Sequence, residues 1–142
     1  KQIGSSLATH YFVAMNDENQ QIMTIRSELH QALERHQFSV VYQPKVCMIT
    51  GNIVGAESLL RWKHCSLGTI PPSMFIPLAE SSGLIETIGE WVLLKACYQT
   101  QLWKKSGLPS FLMSVNLSGR QLQRHTLIDK IEKIILTWLK FI

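Results

Sequence analysis

An acid and a base stand four residues apart in the apolar stretch G-A-E-S-L-L-R-W: Glu57 and Arg61. Charged side chains in such a setting require partners, because an unpaired charge removed from water is costly. The stretch has the composition of a β-strand, where side chains two apart share a face. Gly55, Glu57, Leu59 and Arg61 then fall on one side. Val54, Ala56, Ser58, Leu60 and Trp62 form a packing face on the other. The same alternation groups Val41, Gln43 and Lys45 on an earlier strand, and Ser114, Asn116 and Ser118 on a later one. Each strand therefore offers a polar group: Gln43, Glu57 with Arg61, and Asn116. In α/β folds, sites form at the carboxyl ends of parallel strands. Spacing alone leaves equally open an ion pair between Glu57 and Arg61, with Gln43 and Asn116 satisfying local backbone.

Several elements must position these residues. Tyr11-Phe12-Val13 has the composition of a short strand, and Asn16-Asp17-Glu18 that of a helix start. Ile22, Ile25, Leu29, Ala32 and Leu33 then recur at three- and four-residue steps, predicting an amphipathic helix over 17–36. That helix either packs on its own domain or pairs with another copy. Residues 38–46 and 53–62 are rich in β-formers around the turn Ile49-Thr50-Gly51-Asn52, which predicts a hairpin. Pro44 marks an edge, an end or a bulge. A loop over 63–72 leads to a short helix over 73–82 and a long one over about 85–105. Lys104, Lys105, Gly107 and Pro109 supply its stop signals. Residues 111–117 form a third strand. Ser118 and Gln121 have capping-box spacing, opening a last helix whose stripe is Leu127, Ile131, Ile134 and Trp138. Strands alternating with helices predict an α/β architecture.

Composition narrows the function classes. The chain has 142 residues, 46% of them hydrophobic, enough for one domain with a core. Fourteen Lys and Arg against ten Asp and Glu give a formal charge of +4, with only Lys104 and Lys105 adjacent. No basic stripe tracks a nucleic-acid polymer, and a small anionic substrate suits the charge equally well. Cys47, Cys65 and Cys97 are odd in number and widely spaced, so they read as free thiols of a reducing cytoplasm. The five histidines show no metal-ligand spacing, no signal peptide opens the chain, and no apolar run reaches the ~20 residues of a membrane span. Asn116-Leu117-Ser118 fits the glycosylation pattern, which without secretion has no consequence.

From Phe38 onward the sequence resembles the EAL domain family, bacterial phosphodiesterases acting on cyclic di-GMP. The matching segments are Y-Q-P-K-V (42–46), T-G-N-I-V-G-A-E-S-L-L-R-W (50–62), F-I-P-L-A-E-S-S-G-L-I (75–85), I-G-E-W-V-L (88–93) and V-N-L-S-G-R-Q-L (115–122). The resemblance implies a TIM-like (β/α)8 barrel whose first strand runs antiparallel to the rest, preceded by an N-terminal extension and linker helix over 1–37. It implies metal ligation by Glu57 and Asn116, and substrate contacts from Gln43, Leu59 and Arg61. Arg61's planar fork suits a phosphate oxygen. The implied chemistry is two-metal hydrolysis, with Mg²⁺ or Mn²⁺ activating water for in-line attack on a phosphodiester to give linear pGpG. Ser58 stands where the family usually has alanine. Over a short stretch, Y-F-V-A-M-N-D-E is similar to the tail of a GGDEF domain.

The expected barrel is partial. A TIM-type barrel takes ~250 residues, and about 105 follow Phe38, ending by this reading after three strands and a helix. The family's remaining acids and its catalytic lysine have no counterpart; Asp129 and Glu132 read as surface charges of the last helix. No complete catalytic set is expected, metal binding should be weak or absent, and the isolated chain should not hydrolyse cyclic di-GMP. Open sheet edges and apolar surface predict pairing with another copy or a complementing fragment, with the Ile22–Leu33 helix as a candidate dimer contact. The competing functional class is a non-catalytic interaction or regulatory module in cyclic di-GMP signalling.

Overall fold

The structure, a computed structural model, describes residues 20–109 and 111–139. The strand expected at 11–13 and the helix start at 16–18 lie outside the described residues. Helix α1 runs over 20–32. It closes with two nested bonds, Gln37 N–H to Ala32 O at 2.9 Å and His36 N–H to Leu33 O at 3.2 Å, around His36 at φ 55°. This is the Schellman arrangement, with a histidine where glycine is usual.

Strands β1 (Phe38–Val46) and β2 (Ile53–His64) form the expected antiparallel hairpin, registered from Phe38 opposite Trp62 to Val46 opposite Ile53. The register shifts between Lys45 and Val46, directly after Pro44. β2 continues two residues beyond the sequence reading, and the expected loop over 63–72 contains a further strand, β3 (Gly68–Ile70), antiparallel to it. The tight turn between them is organised by His64, whose Nδ1 accepts the backbone N–H groups of Ser66 (3.3 Å) and Leu67 (3.1 Å). Three residues are too short to show a period, so the pattern gave no sign of β3. The described sheet thus has four strands, not three. β4 (Leu112–Val115), the third strand of the sequence reading, pairs parallel with β2.

Helix α2 (Pro72–Ser82) starts with Pro72 in its first turn. Helix α3 (Ile85–Lys105) ends where expected: Leu108 N–H bonds Trp103 O and Gly107 N–H bonds Lys104 O, with Gly107 at φ 85°. The last helix is two elements rather than one. α4 (Gly119–Leu122) carries the full capping box between Ser118 and Gln121, and α5 (Leu127–Leu139) follows a short break. Arg124 spends that break in an ion pair with Glu86 of α3, at 2.7 Å. Lys130 holds Glu90 from the first turns of α5. Of the expected stripe, Leu127, Ile131 and Ile134 line the seam with α3; the side chain of Trp138 is outside the described set.

The core lies between the sheet and helices α1, α2 and α3. Phe38, Trp62, Phe75, Ile85, Ile88 and Val92 fill it, joined by Ile25, Leu29 and Ala32 of α1. Trp62 packs edge-on to Phe75 with ring centroids 5.5 Å apart, and its indole N–H donates to Gln37 Oε1 at 2.9 Å. Burying each such ring contributes about 2–3 kcal/mol. The apolar stripe of α1 is therefore used inside the chain. Of that stripe Ile22 stays exposed, next to the exposed Met23.

Candidate functional site

The two faces of the sheet behave as strand alternation requires. Trp62 and Ala56 of β2 are buried against the helices, and so is Ser58. Ser58 Oγ donates to the backbone carbonyl of Ser114 at 3.0 Å, so its hydroxyl is satisfied in the layer behind the site. The opposite face carries Val41, Gln43 and Lys45 of β1, Gly55, Glu57, Leu59 and Arg61 of β2, and Leu112 and Ser114 of β4. Asn116 stands one residue past the end of β4.

Register brings the named residues together. Gln43, Glu57 and Ser114 stand opposite one another across three strands. Asn116 Nδ2 donates to Glu57 Oε1 at 2.7 Å. Leu59 lies one step further along β2 and Arg61 beyond it, both half-buried. Arg61 does not pair with Glu57; its Nη1 donates to the backbone carbonyl of Leu60 at 2.9 Å. The internal ion pair left open by spacing is therefore not what holds Glu57. Its partner is the Asn116 amide, and the guanidinium has donors beyond the one used at Leu60.

Alternation puts Lys45 on this face too. Its Nζ donates to Ser114 Oγ at 2.7 Å. The lysine reaches from β1 across β2 to β4, two strand spacings away. It can do so because Gly55, its partner in the register, has no side chain. A Cβ at Gly55 would also come within 2.8 Å of the Leu112 carbonyl oxygen. The glycine is thus fixed by the close approach of β4, and cross-strand register is the information that a single sequence lacks.

Hard oxygen donors suit Mg²⁺ or Mn²⁺, and the Glu57 carboxylate and Asn116 amide oxygens are such donors. As donors they would fill two positions where an octahedral ion takes six. Among the described residues, no group of three or more His, Cys, Asp and Glu side chains is placed to hold a metal.

A gap of about 270 Å³ adjoins these residues where β2 exchanges β4 for β3 as its neighbour. Arg61 and Asn116 stand at it, and Ile76, Ile88 and Val92 line it.

Comparison with known proteins adds a family profile, two curated relatives and two solved structures. The EAL domain profile matches residues 26–139, beginning inside α1. The chain is 44% identical over 123 residues to the bifunctional diguanylate cyclase/cyclic di-GMP phosphodiesterase MucR of Pseudomonas aeruginosa, spanning 87% of this chain and 18% of that protein. It is 31% identical over 129 residues to the cyclic di-GMP phosphodiesterase PA2567 of the same species, spanning 90% and 22%. Among solved structures, the PaMucR phosphodiesterase in complex with c-di-GMP superposes with a TM-score of 0.78 at 44% identity, over 82% of this chain and 47% of that one. The cAMP-bound EAL enzyme Bd1971 gives a TM-score of 0.71 at 26% identity, over 97% and 40%. The chain thus spans less than a quarter of these curated relatives and under half of these solved chains. Its mixed α/β fold, with a four-stranded sheet, corresponds to part of their TIM-like barrel.

Proposed function

The chain belongs to the EAL domain family, and on that premise we propose that it supplies the amino-terminal part of a cyclic di-GMP phosphodiesterase domain. Glu57 and Asn116 are its metal ligands, and Gln43, Leu59 and Arg61 are its substrate contacts. The observation that carries this reading is the Asn116–Glu57 pair, a side-chain amide whose nitrogen donates to the carboxylate on the open face of a parallel strand pair.

Bound Mg²⁺ or Mn²⁺ would supply an activated water and charge neutralisation at the scissile phosphate. This chain's residues do the positioning. Asn116 orients the carboxylate of Glu57. Arg61 offers a planar, permanently charged fork to a phosphate oxygen. Gln43 offers both donors and acceptors to the nucleotide, and Leu59 packs against it. Residues 1–37 serve as an extension and linker helix to the part beginning at Phe38, with α1 docked on it. A preceding GGDEF domain agrees with the bifunctional name of MucR. The setting is cytoplasmic; no helix among the described residues is long and apolar enough to cross a membrane.

Taken by itself, the chain offers an octahedral ion one carboxylate and one amide among the described residues at this site. It therefore binds Mg²⁺ or Mn²⁺ weakly and does not turn over cyclic di-GMP. A second reading, an interaction module, is favoured by the exposure of Val41 and Leu112 on the same open face, a surface suited to a complementing fragment or a second copy. Calorimetric titration of the chain with Mn²⁺ and with cyclic di-GMP tests the proposal. Weak Mn²⁺ binding lost in Glu57→Ala, and nucleotide binding weakened in Arg61→Ala, support it. Binding indifferent to both substitutions contradicts it.

A further inference from the structure

The end of the molecule opposite the site carries a surface the phosphodiesterase reading does not use. At the tip of the β1–β2 hairpin, Met48 and Ile49 are 96% and 94% exposed. Val46, Ile53 and Val54 flank them and are also exposed. Single exposed apolar residues are ordinary; a contiguous group at a projecting turn is not. A groove lined by Ile53, Val54, Trp103 and Leu108 joins this hairpin to the carboxyl end of α3. Lys104 and Lys105 stand there, both exposed.

The acidic residues are segregated along the fold. The described carboxylates other than Glu57 belong to α1 and the turn after it, to α2, and to the first halves of α3 and α5. These segments lie toward the other end, tied there by the pairs of Glu28 with His64, Glu86 with Arg124, and Glu90 with Lys130. The hairpin end is therefore apolar at its tip and cationic beside it.

We propose that this end docks on an anionic lipid surface, with Met48 and Ile49 entering the headgroup region and Lys104 and Lys105 meeting lipid phosphates. The tip is convex, so a fluid interface can take it up without a matching pocket. Trp103 beside it has the amphipathic ring favoured at such interfaces. Lysines near a membrane surface add attraction that salt screens. The hairpin tip lies at the amino-terminal ends of β2 and β4, so docking there leaves Glu57 and Asn116 further along the strands from the bilayer. The proposal is independent of catalysis.

The test is co-sedimentation of the chain with phosphatidylglycerol-containing vesicles and with pure phosphatidylcholine vesicles, at low and high salt. Binding to the anionic vesicles is expected to weaken with salt. It should fall roughly five-fold or more in the double variant Met48→Ser, Ile49→Ser, and comparably in Lys104→Glu, Lys105→Glu. Both pairs are exposed, and an unchanged melting temperature verifies that the fold is intact. Absence of binding to anionic vesicles, or binding indifferent to Met48→Ser, Ile49→Ser, overturns the proposal. Binding to polyglutamate without binding to vesicles also overturns it and assigns the surface to an acidic protein.

Discussion

Asn116 donates a hydrogen bond to the carboxylate of Glu57 at 2.7 Å, across the one parallel strand pair among the described residues. The two residues are 59 positions apart in sequence. Their meeting depends on how closely β4 approaches β2, and that spacing depends on residues that touch no substrate.

Gly55 is the first of these. In Gly55→Ala the new methyl would press on the Leu112 carbonyl oxygen, a backbone atom that cannot rotate away. We expect a loss of about 1–3 kcal/mol in urea unfolding, together with weaker Mn²⁺ binding as β4 is displaced. An alanine variant of unchanged stability would show that the strands part without cost.

Ser58 acts on the packing side. Its buried hydroxyl bonds the Ser114 carbonyl at 3.0 Å, so Ser58→Ala should cost about 1 kcal/mol and leave Mn²⁺ affinity unchanged. The family's usual alanine at this position agrees with a residue that stabilises without reaching the site. A loss of metal affinity in Ser58→Ala would mean that this bond also sets the position of Asn116.

Gly89 lets α4 close on α3. A Cβ there would collide with the side-chain amide of Gln121, which is buried and completes the capping box with Ser118. Ala exceeds Gly in helix propensity by about 1 kcal/mol, so the substitution carries two opposing effects. Gly89→Ala should be destabilising in the parent chain and stabilising in a Gln121→Ala background. Equal effects in both backgrounds, measured by thermal unfolding, would show that Gln121 yields freely.

The cysteines should differ in reactivity. The Cys47 thiol is held below its ordinary pKa by hydrogen bonds from the Thr50 side chain, then from the backbone of Thr50 and Ile49. Burial pushes the Cys97 thiol up. The thiolate is the reacting form, so the rate–pH curve for iodoacetamide should lie at lower pH for Cys47. Mass-spectrometric mapping that finds Cys97 labelled first contradicts this assignment.

Much of this arrangement was legible in the sequence, because period and alternation are local properties. The hairpin, the α3 boundaries, the shared face of Glu57, Leu59 and Arg61, and the capping box at Ser118 all follow from neighbours a few residues apart. β3 was missed because three residues carry no period and its turn rests on the His64 ring. The break between α4 and α5 was missed because an ion pair to Glu86, 38 residues earlier, holds the turn. Alternation puts Lys45 on the site's face, but its reach to Ser114 over Gly55 needs the register of three strands. The α1 stripe allowed two outcomes, and the structure realises packing on the chain's own core.

The most direct measurement is turnover. The purified 142-residue chain is incubated with cyclic di-GMP and Mn²⁺, and linear pGpG is followed by chromatography. We expect no product above the metal-only control, because Glu57 and Asn116 supply two of the oxygen ligands that a hydrolytic metal site requires. Sustained turnover, abolished by Glu57→Ala, would contradict the account and show that this part of the domain is catalytically sufficient.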